Sequence, residues 1–436
     1  MGRVFYQLLI NTLLVSVINF TVWFAITFYV YIETRSVFAT GVISGIFLVM
    51  TALTGIWFGS LVDHYRKKTV MQASALLSIG LYAVALLVYQ LTPRASFRDP
   101  ASAQLWLFVV LLMFGVIAGN LRTIALPTLV TVLVREDIRD RANGLVGTAS
   151  GVSFLVTSVI SGLLVALGGM LWVLVVALVT LGVAVPALAA VRVPGAAAGV
   201  AATEPKRSVD LRGTIRVIRG VAGLPALIAF SAFNNLLGGI FMALLDAYGL
   251  SLVSVQTWGL LWGALSTGFI VGGLLIARTG LGRNPVRLLL MVNLLLWTVT
   301  LIFPLRASII WLTAGLYLYM LAVPYAEAAE QTILQKVVPY ERQGRVFGFA
   351  QSVEQAASPL TAFLISPIAQ FVVIPYMTDG PGARLIGDWF GTGANRGIAL
   401  VFVLTGVIGI IATAVALRSR PYRRLSHRYA ETPVSV

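Results

Sequence analysis

The sequence predicts an all-α membrane protein with twelve transmembrane helices in two six-helix bundles. Three observations carry this. Hydrophobic residues make up 58% of the 436-residue chain and charged residues only 11%, more apolar surface than a soluble core of this size can bury. The apolar residues gather into long runs, each near the roughly 20 residues that a helix needs to cross a bilayer. The basic residues fall mostly in alternate loops, as expected of a chain threaded back and forth through a membrane.

In order, the spans lie near residues 7–32, 40–62, 69–91, 104–132, 144–167 and 169–190, then near 221–248, 254–277, 286–305, 308–334, 346–374 and 396–417. Between the sixth and seventh lies a polar stretch containing PGAAAGVAATEPKRS, a composition that reads as a linker. The expected organisation is an N-terminal bundle over 1–191, a cytoplasmic linker over 192–220, a C-terminal bundle over 221–418 and a basic tail over 419–436. The first apolar run is too long for a cleaved signal peptide and lacks a small-residue cleavage site, so it reads as the first span.

The basic residues set the orientation. Arg35, Arg94, Arg98, Arg306, Arg384 and Arg396 fall on one side and Arg122 lies within a span. The other 24 of the 31 Lys and Arg residues fall on the opposite side. Both termini are therefore expected in the cytoplasm. The net charge of +15 is spread over many short segments rather than gathered on one face, so it does not indicate nucleic acid. There is no cysteine, which excludes disulfides and thiolate metal sites. His64 and His427 are far apart in sequence and support neither a metal site nor a catalytic triad. No phosphate-binding glycine loop is present. The expectation is a chain without enzymatic activity, cofactor or metal, powered by a gradient or by the substrate's own concentration difference.

The two halves repeat a pattern. GNLRTIALPTLVTVLVREDIRDRANGLVG runs from Gly119 and VPYAEAAEQTILQKVVPYERQGRVFG from Val323. Setting Arg141 against Arg345 gives an offset of 204, and then Gly144 meets Gly348, Asp137 meets Glu341 and Val134 meets Val338. Repeated halves joined by a linker suit a protein that rocks about a central site.

After the second span stands GSLVDHYRKK, Gly59 to Lys68. This resembles the G-x-L-x-D-R-x-G-R-K signature of the major facilitator superfamily. Gly59, Leu61 and Asp63 match, and Lys67 and Lys68 supply the paired bases. His64 stands where the family has Arg, and Arg66 where it has Gly. The resemblance implies the superfamily's fold of two pseudo-symmetric bundles and a latch built from Gly59, Asp63, Lys67, Lys68 and Arg345. Gly59 would allow close helix approach, and Asp63 would accept bonds from a neighbouring helix N-terminus. The turns VREDIRDRANGL and VPYERQGRVFG, and the segment GDWFGTGANRGIALVF from Gly387, resemble the macrolide-efflux-like branch of the drug:proton antiporters. In the fifth span, TSVISG carries Ser158 where drug antiporters have Pro, a departure from strict antiport.

Ionisable residues inside spans are costly and mark function. Here they are Arg122, Asp246, Glu327, Glu330 and Glu354. Glu327 and Glu330 share a helix face. At 1.5 Å per residue they lie about 13 and 9 Å beyond Lys336, and Glu354 lies about 15 Å beyond Gly344. Three carboxylates at similar depth suit proton coupling, with Asp246 a further candidate. The alternative is that Glu330 and Glu354 are struts paired with Arg345 or Arg342. Arg122 either faces a cavity or forms a structural pair. Asp246 is either a coupling group or wetted at the outer surface.

The first span carries Thr12, Ser16, Asn19, Trp23 and Thr27 on one stripe, and the seventh carries Ser231, Asn235, Gly238, Met242 and Asp246. These stripes read as substrate-cavity walls (Asn19, Trp23, Arg122, Asn235, Met242) or as small-residue packing.

The expected function is efflux of a small amphipathic organic substrate across the cell membrane in exchange for protons. The chain would act as a monomer among membrane lipids. A dedicated exporter of a siderophore or lipid, and a non-transporting receptor or scaffold, are the alternatives. The orientation has a direct check. A protease site inserted after Val200 is expected to resist cleavage from outside intact cells and to be cut in inverted vesicles.

Overall fold

The computed structural model describes residues 1–34, 37–193 and 210–431, and no strand occurs among them. The spans are α1 (Arg3–Thr34), α2 (Val37–His64) and α3 (Lys67–Leu91), then the short α4 (Arg94–Arg98) leading to α5 (Ala103–Gly119) and α6 (Leu121–Leu133). The last two share one apolar crossing, Ala103–Leu133.

Next comes α7, Arg139–Ala190, whose 52 residues would reach about 78 Å. That is about twice the depth of a bilayer. Its backbone breaks at Gly168 and Gly169, the latter at φ 62°, ψ −155°, a region open essentially to glycine alone. The element therefore crosses twice, and the break falls where the sequence separates the fifth span from the sixth.

The second half holds α8 (Leu211–Gly220), α9 (Leu224–Leu250), α10 (Val255–Thr279), α11 (Pro285–Ile302), α12 (Ile309–Val337) and α13 (Gln343–Ile368). A π-turn over Ala369–Val373 joins α13 to α14 (Ile374–Thr378). Then come α15 (Pro381–Phe390), α16 (Ala394–Arg418) and α17 (Arg420–Glu431). Twelve crossings result, as the sequence predicts. Two helices stand where only polar linker and tail are expected: α8 and α17, short and amphipathic.

Two compact units are distinguished by internal packing. The first comprises residues 1–142, 149–217 and 338–352. Its core includes Val22, Ile26, Tyr82, Phe108, Leu112 and Leu174. Lipid tails are as apolar as leucine, so helices in a membrane associate by close packing and hydrogen bonds rather than by hydrophobic expulsion. Gly115 gives room for the Tyr82 ring, and Gly119 for Asn19. The second unit comprises 143–148, 218–337 and 353–436, with Leu244, Tyr248, Trp297, Phe303 and Phe402 in its core. There Gly249 lies against Trp258 and Gly409 against Trp297. Arg396, expected in an outer loop, is buried in this unit. Its Nη2 donates to the Leu305 carbonyl at 3.0 Å and its guanidinium lies 3.9 Å from the Phe390 ring centroid.

The internal repeat is kept in the backbone and in one side-chain bond. Single 3₁₀ turns, Glu136–Ile138 and Tyr340–Arg342, precede helices that begin at Arg139 and Gln343. Arg139 Nε donates to the Val134 carbonyl at 3.2 Å, and Gln343 Nε2 donates to the Val338 carbonyl at 3.1 Å. Each pair sits at the same offset of 204 that aligns the two sequences.

Candidate functional site

In the second unit, two in-span carboxyl groups come together, with a third one helical turn away. Ser231 of α9 donates its hydroxyl to Glu330 Oε1 at 2.7 Å, and the Glu354 carboxyl of α13 lies within hydrogen-bonding reach of Glu330 of α12. Glu327, one helical turn earlier on α12, is exposed, while Glu330 and Glu354 are half-buried. Among the described residues none of the three forms an ion pair. Arg345, a sequence candidate for a strut partner, is engaged by Asp63 and Asp210 instead.

Local chemistry brings the three helices together. Gly239 faces the α13 backbone at Ser358 and Ala362, where a Cβ would have no room. Ser358 Oγ donates to the Asn235 carbonyl at 2.7 Å. Asn235 Nδ2 turns back to the Ser231 carbonyl at 3.1 Å. A hydrogen bond between two carboxyl groups needs a proton on one of them. The arrangement sets two carboxyl groups of neighbouring helices beside one hydroxyl donor.

In the first unit, Asp63 at the end of α2 caps α13. Its Oδ1 accepts from Gly344 N at 2.6 Å and its Oδ2 from Arg345 N at 2.9 Å. The first N–H groups of a helix have no partner within the helix, and a carboxylate there is favoured by the aligned peptide dipoles. The approach needs glycine on both sides. A Cβ on Gly59 would strike the Gly344 carbonyl, and one on Gly348 would strike the Gly55 carbonyl.

The flanking charges complete this contact. Arg345 Nε lies 3.6 Å from Asp63 Oδ2, and its Nη1 lies 3.7 Å from Asp210 Oδ2. His64 Nδ1 donates to the Ser60 carbonyl at 2.8 Å, leaving Nε2 to accept from Arg345 Nη2 at 3.2 Å. His64, one of the two departures from the signature, thus works through the same partner. Lys67 is buried with its ammonium 5.0 Å from the Tyr340 ring centroid. Lys68 donates to the Ala189 and Val191 carbonyls at 2.8 and 2.7 Å, closing the C-terminal end of α7.

The remaining candidates are dispersed. Arg122 on α6 is 1% exposed. It donates to Asn11 Oδ1 at 2.7 Å and to the Met71 carbonyl at 3.1 Å, tying α6 to α1 and α3. Asn19 is buried and accepts from the Tyr82 hydroxyl at 2.9 Å. Trp23 is partly exposed and stacks on Phe47, centroids 4.0 Å apart. Met242 is exposed. Asp246 is also exposed, and its Oδ1 accepts from the indoles of Trp258 at 2.9 Å and Trp262 at 3.2 Å.

Sequence reasoning missed several partners. Asp210 and His64 complete the Arg345 contact. Asn143 Nδ2 donates to Thr332 Oγ1 at 2.8 Å and to Gln335 Oε1 at 2.9 Å in the second unit. The Trp258–Trp262 pair, four apart on α10, was a visible signal for a helix face beside Asp246.

A helical bundle of twelve crossings, with an internal repeat and carboxyl groups held inside its spans, defines a membrane transporter. Residues 8–362 match the family model described as Major Facilitator Superfamily, and the chain belongs to that superfamily. It is 22% identical over 361 residues to macrolide efflux protein A of Streptococcus pyogenes, covering 78% of this chain and 83% of the relative. The fold is similar to that of the human organic anion transporter MFSD10 (TETRAN), with a TM-score of 0.70 at 15% identity, covering 93% and 99% of the two chains. It is also similar to a bacterial homologue of the iron transporter ferroportin in an outward-facing state, with a TM-score of 0.69 at 16% identity, covering 96% and 100%.

The Asp63 cap yields a direct expectation. Asp63→Asn keeps the size but leaves one acceptor oxygen and no charge. Losing a charge-assisted bond costs about 1.5–3 kcal/mol. Transport in vesicles is expected to fall roughly tenfold while the protein still elutes as a folded species on size exclusion. Wild-type transport rates in this variant would mean the contact plays no part in the cycle.

Proposed function

We propose that this protein exports amphipathic organic compounds in exchange for protons, by alternating access. The observation that carries the reading is the Glu330–Glu354 pair with Ser231. Energy for uphill export enters through a group whose charge differs between access states, because a ligand shifts an equilibrium only by its differential affinity for the two states. A carboxyl pair holding one proton is such a group. Glu327, exposed one turn away on the same helix, gives that proton a route to water. The 22% likeness to a macrolide efflux protein supports a bulky, amphipathic organic substrate.

In this reading the bundles over 1–191 and 221–418 rock in the cell membrane, with both termini and the 192–220 linker in the cytoplasm. Opening toward the cytoplasm releases the α13 N-terminus from Asp63. Substrate contact falls to accessible side chains such as Trp23 and Met242, with Asn235 on the same stripe. Asn19 and Arg122, whose polar groups already serve neighbouring helices, hold those walls in place. Asp246, framed by two indoles, is a second acidic position available to a substrate or a proton.

Single Gln replacements separate coupling from support. In inverted vesicles with an imposed pH gradient, Glu330→Gln or Glu354→Gln is expected to abolish pH-driven accumulation while downhill exchange of substrate continues. A supporting role would show as lower thermal stability with coupling intact in the surviving protein. Normal uphill transport by all three Gln variants, Glu327→Gln included, would place the proton path elsewhere.

A further inference from the structure

The C-terminal helix α17 is fixed to the second unit more firmly than a charged tail requires. Ser419 accepts from Tyr422 N at 3.3 Å and starts the helix. Leu425 is 3% exposed. Gly223, at φ +86°, lies so close to α17 that a Cβ would stand 2.6 Å from the Pro421 carbonyl oxygen and 2.7 Å from Leu425 Cβ. Asn284 Nδ2 donates to Ser426 Oγ at 3.1 Å, and the Lys336 ammonium lies 4.5 Å from the Tyr429 ring centroid.

This docking leaves a groove. Its walls come from the first turns of α9 and α11, the end of α16 and the inner face of α17, through Leu227, Phe230, Leu289, Leu290, Tyr422 and Leu425 among others. The lining is apolar apart from the hydroxyls of Ser419 and Tyr422. Arg219, Arg287, Arg420, Arg423 and Arg424 are exposed on the segments that frame it. Glu431, at the far end, is the one acid of α17.

The groove lies where three spanning helices end, which for helices that cross a bilayer is the level of the headgroups. An amphipathic helix bearing clustered arginines beside a span attracts anionic lipid. A second copy of this chain is disfavoured there, because both would present the same basic face.

We propose that the groove and its surrounding arginines form a binding site for one anionic phospholipid, its acyl chain along the apolar walls and its phosphate among the arginines. The site lies wholly within the second unit and involves neither the carboxyl cluster nor the Asp63 cap. Its test reads lipid retention and stands apart from any transport measurement.

The experiment uses the full chain in detergent, offered phosphatidylglycerol or phosphatidylcholine at equal concentration, with retained lipid counted by native mass spectrometry. Wild type is expected to keep one phosphatidylglycerol in preference to phosphatidylcholine. Replacing Arg420, Arg423 and Arg424 together by Gln is expected to weaken that retention roughly tenfold or more, and replacing them by Lys to preserve it, since a point charge suffices for phosphate. Ala226→Trp, which fills the groove and keeps every arginine, is expected to lose the lipid as well; Ala226→Met serves if the larger residue prevents folding. Equal retention of the two lipids by wild type would overturn the proposal. So would phosphatidylglycerol retention that survives the Gln replacements or the filling of the groove.

Discussion

The carboxylate of Asp63 on the first backbone N–H groups of α13 is the interaction on which the rest depends. It joins residues 281 and 282 positions apart in sequence. Every feature around it serves that approach. Gly55, Gly59, Gly344 and Gly348 remove the side chains that would keep the backbones apart. Arg345 then balances the buried carboxylate, and Asp210 and His64 hold its guanidinium. Two bonds to a charged acceptor, at about 1.5–3 kcal/mol each, together approach the roughly 5.5 kcal/mol that turns a 1:99 equilibrium into 99:1. A contact of that size can hold one conformation and still yield to ligand and proton binding.

The repeat makes the same crossing twice with different chemistry. In the second unit, Gly273 lies against Thr148 and the Gly144 carbonyl, and Gly144 lies against Ile276 and Ala277. Gly273 meets Thr148 and the Gly144 carbonyl as Gly55 meets Ser352 and the Gly348 carbonyl, so eight residues beyond Gly273 stands Leu281, where eight beyond Gly55 stands Asp63. In the first turn of α7 the Arg141 N–H is met by Asp140 Oδ1 of the same helix at 2.7 Å. The neutral side chains of Asn143, Thr332 and Gln335 bind one another. Charge is placed at one copy of the repeated turn, and the in-span carboxyl groups Glu327, Glu330 and Glu354 lie within the second unit.

Much of this was legible in the sequence, for physical reasons. Spans follow from apolar length, so the twelve crossings could be drawn, and the break at Gly168 and Gly169 fell where two glycines interrupt an apolar run. The offset of 204 survived into bonding because side chains at Arg139 and Gln343 reach the same backbone carbonyl position. Helical rise alone put Glu327, Glu330 and Glu354 at similar depth in the sequence reading; the approach of Glu354 to Glu330 depends on how α13 packs on α12. Residues whose partners come from distant helices were not legible. Whether Arg122 faces a cavity or a neighbour depends on Asn11 and the Met71 carbonyl, which no local pattern reveals. Helices α8 and α17 were hidden by composition: their charge suggested linker and tail, while the apolar positions Tyr422, Leu425 and Tyr429, three and four apart, marked an amphipathic helix.

The most direct test of the account is to lock the α2–α13 contact. The chain has no cysteine, so a single engineered pair can be read without background. A Cβ at Gly55 stands 3.5 Å from Ser352 Cβ, within the separation a disulfide requires. With Gly55→Cys and Ser352→Cys together, oxidation is expected to crosslink the helices and stop transport, and a reductant to restore it. Quantitative crosslinking with transport at the reduced protein's rate would contradict the claim that this contact opens in every cycle.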